Sequence, residues 1–191
     1  MYAAMNGGDS LLKVTISGPP GSGTSTLVSR IEISRGWKSL NGGDIFREEA
    51  KLRGISVERL SSEAKGDSEI DRKLDSLLKK RISSSDSPEI VESRLSGWWA
   101  HEMGLDCLKV WVAVSNEERA KRIQKREGGD FGDCLARSQS RQQDDKDRYL
   151  TLYGIDLDDL KPYNLVIDAD EKDEEEVFSI VSSRLGGRSD E

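Results

Sequence analysis

Residues 18–26, Gly-Pro-Pro-Gly-Ser-Gly-Thr-Ser-Thr, lie between a β-branched run at 13–17 and a stretch of helical spacing that begins near Ser25. A strand that enters a Gly/Pro turn and passes straight into a helix constrains this chain more than any other feature. Such a turn brings successive backbone N–H groups to face one point, and the helix adds the positive end of its dipole there. The spacing is that of the phosphate-binding loop G-x-x-x-x-G-K-[ST], with one departure: Thr24 stands where the pattern has lysine. Gly18, Pro19, Pro20, Gly21, Ser22, Gly23, Thr24, Ser25 and Thr26 are therefore expected to cradle nucleotide phosphates, with the Ser25 hydroxyl reaching Mg²⁺. The bland alternative, a ligand-free Gly/Pro/Ser turn, gains weight from the missing lysine and loses it from the flanking strand and helix.

At 191 residues the chain fits one domain with small insertions. Its 29 Lys and Arg stand against 36 Asp and Glu, a net charge of −7. That balance excludes a protein that wraps nucleic acid, while leaving room for a local basic site. Cys107 and Cys134 have no metal-ligand or C-x-x-C spacing, which points to a reducing cytoplasm. No run is long enough for a membrane span, and residues 1–10 read as a frayed start to a monomeric, soluble chain.

Strand-like runs at 13–17, 37–40, 88–92, 108–114 and 164–168 alternate with helical stretches at 25–35, 45–53, 116–127, 133–153 and 174–185. The nearly continuous apolar run at 108–114 has the character of a parallel strand buried on both faces. Asp44, after Asn41-Gly42-Gly43, is expected to cap the helix that follows. Residues 54–87 are polar with a narrow apolar stripe, which suits a small helical excursion. The alternation predicts an α/β fold, a parallel five-stranded sheet flanked by helices.

Arginines are the second informative feature. Arg137, Arg141 and Arg148 lie on a long polar helix after the Gly128-Gly129 joint, at spacings that share a face. Swung over bound phosphates, they would stabilise charge on a transferring phosphoryl group. A solvated helix paired internally with Asp144, Asp145 and Asp147 is the plainer reading. Arg47, one turn into its helix, and Arg94, at the end of a short strand, have no comparable structural need and suit a second phosphate. Glu92 suits Mg²⁺-bound water or an arginine. Trp98 and Trp99 serve either a base or the core, Arg122 and Arg126 an adenine or solvent, and His101 reads as a surface residue.

These phrases, taken in order, give the chain its resemblance to the nucleoside monophosphate kinases, most of all the archaeal-type cytidylate kinases. They are Ile16 to Thr24, Gly43 to Glu48, Asp67 to Asp71, Glu92 to Trp98, Arg119 to Gly128 and Tyr153 to Asp159. The resemblance implies one P-loop kinase domain with its core at 11–43, 88–127 and 154–187. It further implies a helical NMP-binding insertion at about 44–87 and a lid at about 128–153. By the same resemblance Arg47 and Arg94 hold the CMP phosphate with Asp44 nearby, Arg122 lies by the adenine of ATP, and Arg141 and Arg148 are the lid arginines. The implied reaction moves the γ-phosphoryl of Mg·ATP to CMP or dCMP. Kinases of AMP or UMP, and a catalytically weak nucleotide-binding regulatory module, are the alternatives. Thr24 and Ser93 depart from the family's usual lysine and glycine, and arginines from the other segments are expected to supply the missing charge.

Overall fold

The structure is a computed structural model, described here for residues 11–64 and 68–186; residues 1–10 and the start of the Asp67 phrase lie outside it. Five parallel strands form the sheet: β1 Val14–Ser17, β2 Ser39–Asn41, β3 Ile90–Glu92, β4 Leu108–Ala113 and β5 Leu165–Asp168. Their order, β2-β3-β1-β4-β5, puts β1 at the centre. All four residues of β1 are buried, as a strand with a parallel neighbour on each side and helices over both faces requires. The register aligns Ile16 with Glu92 and with Val110, and Asn41 with Glu92. The carboxyl ends of β1, β2 and β3 therefore finish level, at the edge where open parallel sheets bind ligands.

The helices are α1 Thr24–Arg35, α2 Gly42–Arg53, α3 Val57–Ala64, α4 Ser68–Ile82, α5 Ser96–Glu102, α6 Asn116–Glu127, α7 Phe131–Tyr153 and α8 Glu174–Arg184. On one side of the sheet, Leu27 and Ile31 of α1 and Val177 and Val181 of α8 pack with Val14, Ile16, Val110 and Ile167. Another cluster joins Leu78 and Ile82 of α4, Trp99 of α5 and Ile155 to Leu40 and Val91. Helices α2 to α4 have a small centre of their own in Ala50, Leu60 and Ile70. Glu49, 2% exposed, accepts from Arg53 of its own helix and from Lys73 of α4, each at 2.6 Å, which fixes α4 against α2. Helix α7 buries only Cys134 and Ser138, so it is held at its start by a patch of Ala120, Ile123 and Cys134. No helix among the described residues is long and apolar enough to cross a membrane.

Local detail corrects one expectation and decides between two others. Asp44 is not the N-cap of its helix: α2 begins at Gly42, three residues early, because Asn41 accepts from the Asp44 N–H at 2.9 Å. Asp44 answers as the third residue of the capping box, accepting from the Asn41 N–H at 3.2 Å. Trp99 is core, not a base platform: it is 1% exposed, meets the Tyr153 ring edge-on at 5.1 Å and carries the Lys79 ammonium 3.4 Å above its face.

Helix α5 can lie this close only because of Gly97. A Cβ built there would stand 2.2 Å from Cε1 of Tyr163. Gly97→Ala should therefore destabilise the protein by about 1–3 kcal/mol by overpacking, although alanine normally favours a helix over glycine by about 1 kcal/mol. Urea unfolding checks the sign.

Candidate active site

The phosphate loop takes the shape its sequence requires. Gly21 and Gly23 have φ of +85° and +88°, the left-handed region, and the Ser22 N–H closes a tight turn on the Pro19 carbonyl at 3.1 Å. Gly23 is also the N-cap of α1 and offers no side-chain cap. The first N–H groups of that helix are thus left open toward the turn, the arrangement that receives an anion. Ser25 is exposed in this first turn, whereas Thr24 is buried. The Thr24 hydroxyl does not replace lysine chemically: it donates to Oε1 of Glu92 at 3.0 Å, tying the loop to the end of β3.

Beside the loop lies an open cleft of about 1250 Å³ between α2 and α4 on one side and α7 on the other. Gly42, Gly43, Glu92, Arg94, Arg141 and Arg148 all line it. Arg94 joins the two halves of the site: Nη1 donates to the Gly18 carbonyl at 2.9 Å, and Nε to Oδ2 of Asp145 on α7, also at 2.9 Å. Arg148 pairs with the other oxygen of Asp145, and its Nη1 stands 3.7 Å from Asp71 of α4. One carboxylate is therefore shared by two arginines that sequence reading assigned to phosphates.

Other candidates are placed as follows. Arg47 is exposed and holds Asp44 at 2.6 Å, over Gly43 at the cleft wall. Arg122 is fastened on three sides, to Glu118 at 3.0 Å, to the Ser22 carbonyl at 3.3 Å and to the Ala169 carbonyl at 2.6 Å. That puts its guanidinium against the outer side of the loop. Arg137 is not brought to the cleft lining; its Nη2 meets the Cys134 sulfur at 3.4 Å. The sequence gives no role to Asp71 and Asp75, although they stand four apart on one helix, and offers Asp145 only as an internal partner of the helix's arginines, which it is for Arg148. It gave no role to Arg119 either, yet Arg119, Ala120 and Ile123 mark the inward face of α6.

With this geometry in hand, comparison with known proteins is decisive. Residues 17–147 match the family described as AAA domain. A cytidylate kinase of Archaeoglobus fulgidus is 38% identical over 170 residues, covering 89% of this chain and 92% of that enzyme. The chain belongs to the cytidylate kinase family. A second member, the cytidylate kinase of Methanopyrus kandleri, is 37% identical over 179 residues, 90% of this chain and 92% of the other. Among solved structures, a gluconokinase from Sinorhizobium meliloti shares the fold, with a TM-score of 0.58 at 14% identity over 93% of each chain. The family's P-loop kinase fold thus agrees with the parallel sheet expected from the alternating strands and helices.

Acidic groups on the cleft wall are perturbed by burial. Desolvation pushes the Asp71 carboxyl above the usual carboxylate range, against the pull of Arg148. Asp75 is raised for the same reason, although it accepts a 2.7 Å hydrogen bond from the Tyr153 hydroxyl, which favours the ionised form. Tyr153 is itself pushed well up by burial and by that carboxylate.

A carboxyl whose folded value is raised holds its proton more tightly than in the unfolded chain. Its contribution to stability is complete below the unfolded value and is lost as pH climbs through the raised one. Asp75→Asn removes that loss and keeps an acceptor for Tyr153. The variant should melt about 2–4 °C above the parent at pH 7, with the difference shrinking toward pH 4. A melting temperature at or below the parent's at pH 7 would show that Asp75 is not so strained.

Proposed function

We propose that the protein is an ATP-dependent cytidylate kinase that transfers the γ-phosphoryl group of Mg·ATP to CMP or dCMP, yielding ADP and CDP or dCDP. The observation that supports the reading is the cleft itself: Arg94 from the end of β3, which donates to the Gly18 carbonyl of the phosphate loop, lines one opening between two helical arms together with Arg141 and Arg148 of α7. In this reading residues 44–87 form the arm that receives the nucleoside monophosphate, and residues 128–153 form a lid. A role in pyrimidine nucleotide metabolism in the cytoplasm follows from the same reading.

The loop N–H groups and the open end of α1 hold the β- and γ-phosphates of ATP. Arg122, locked against the loop, flanks the nucleotide on the α6 side. Arg47 and Arg94 orient the acceptor's phosphate, whose oxygen attacks the γ-phosphorus as the bond to the β-γ bridging oxygen breaks and ADP departs. Arg141 and Arg148 follow the charge on the phosphoryl group in flight. A phosphate carries more charge than Asp145, so its arrival draws Arg94 and Arg148 from that carboxylate, which leaves the arginines already ordered and near the reacting atoms.

Mg²⁺ fits the donors present: Ser25 offers an exposed hydroxyl, Glu92 is held in place by Thr24, and both are hard oxygen ligands. Among the described residues no three His, Cys, Asp or Glu side chains gather to hold a metal unaided. That suits an ion held largely by phosphates and water. When bound, it neutralises the phosphate oxygens of ATP.

The purified protein with Mg·ATP and each nucleoside monophosphate in turn should release ADP with CMP and dCMP. Turnover with AMP or UMP instead would move the assignment to another acceptor, and none with any would leave a nucleotide-binding module. Arg141→Ala and Arg148→Ala should each lower kcat by about 10³-fold in a protein whose melting temperature is little changed. Rates within a few-fold of the parent would remove both from the reaction.

A further inference from the structure

Arg119 of α6 is 1% exposed. Its Nη1 donates to the Pro20 carbonyl at 3.1 Å, inside the phosphate loop, and its Cβ packs at Gly21. Nη2 donates to the side-chain oxygens of Asn116 and of Gln142 on α7, next to Arg141. Nε is buried with no partner. Every acceptor is neutral, and among the described residues no carboxylate lies within ion-pairing distance of 4.0 Å. Burying a cation without a counter-charge is costly, and buried arginines are ordinarily paired. Burial and the positive Arg94 both press on this charge, with only distant help from Glu117. Its hydrogen bonds satisfy part of the guanidinium but bring no opposite charge, so the counter-ion is left to arrive from outside the chain.

That unmatched charge sits against a loop which has threonine at its lysine position. We propose that Arg119 is a positioning residue that supplies, from the α6 side of the phosphate loop, the positive field the loop lacks at Thr24, its counter-charge being the β- and γ-phosphates of bound ATP. It acts through the loop: the Pro20 contact fixes the turn, and the charge raises the loop's attraction for anions at no exposed site. The proposal rests on the reading that this loop binds ATP.

The test compares the parent with Arg119→Gln, Arg119→Lys and the double variant Arg119→Gln/Thr24→Lys. For each, ATP binding is followed by tryptophan fluorescence, KM for ATP and for CMP by ADP release, and melting by calorimetry. Arg119→Gln should raise Kd and KM for ATP about tenfold and leave KM for CMP within about twofold, while calorimetry shows it folded at the assay temperature. Arg119→Lys, which keeps the charge and loses the fork, should retain most of the ATP affinity. A lysine at position 24 should restore ATP affinity to the Gln variant, a non-additivity that a purely structural role would not produce. Equal losses in the Gln and Lys variants, or ATP affinity unchanged in Gln, overturns the proposal. Should the Gln variant not fold, the Lys variant decides: near-parent ATP affinity supports the charge, and a tenfold loss overturns it. A parent that binds no ATP overturns the loop reading as well, whereas a parent that binds it beside variants that bind as tightly overturns this inference alone.

Discussion

A backbone that must hold phosphates without a lysine depends on how its own amides are aimed. In this protein the aim is set by two left-handed glycines and by an uncapped helix end. Contacts around the loop preserve that geometry: Thr24 to Glu92 on the β3 side, Arg94 to the Gly18 carbonyl on the cleft side, Arg119 to the Pro20 carbonyl and Arg122 to the Ser22 carbonyl on the α6 side. Three of these four are guanidinium groups that donate to loop carbonyls. Each such bond polarises its peptide, so the arginines act on the loop's amides as well as adding charge beside it.

The rest of the architecture serves to bring those contacts to one edge. Because β1 is flanked by β3 and β4, the residues following each strand meet around the loop without long excursions. The sheet register places Glu92 level with Ile16, Ser17 donates to the Ser93 carbonyl at 2.7 Å, and Gly97 lets α5 lie against the Tyr163 ring. The place of the cleft thus follows from strand order.

The sheet was legible in the sequence because parallel strands buried on both faces leave unbroken β-branched runs such as residues 108–114, and because a Gly-rich turn between strand and helix has few other uses. The start of α2 was not: Asn41 and Asp44 are both good caps, and only the backbone shows which accepts first. The site was half legible. Arg94 stood out because no structural need explained it, and Arg141 and Arg148 because their spacing shares a face of a helix with little core; the cleft lining gathers all three, while Arg148 also makes the internal pair with Asp145 of the plainer reading, and Arg137 meets Cys134 instead. Asp145 looked like surface charge because its partner Arg94 is fifty-one residues distant in sequence. Arg119 was invisible for a different reason: a polar residue on an inward face reads as an error of phase until the loop it supports is in view.

Asp145 is shared by two arginines in the cleft lining, in a chain already carrying a net charge of −7. The consequence concerns the approach of the nucleotide. Arg94, Arg141 and Arg148 share the lining with Asp71, Asp75, Glu92, Asp144, Asp145 and Asp147, so in the proposed function the cleft does not draw a dianion in from beyond a Debye length. In that reading attraction acts at contact, when a phosphate takes the place of Asp145. Discrimination then falls on what a molecule does after touching the site, and free phosphate or other small anions gain no head start from electrostatic steering.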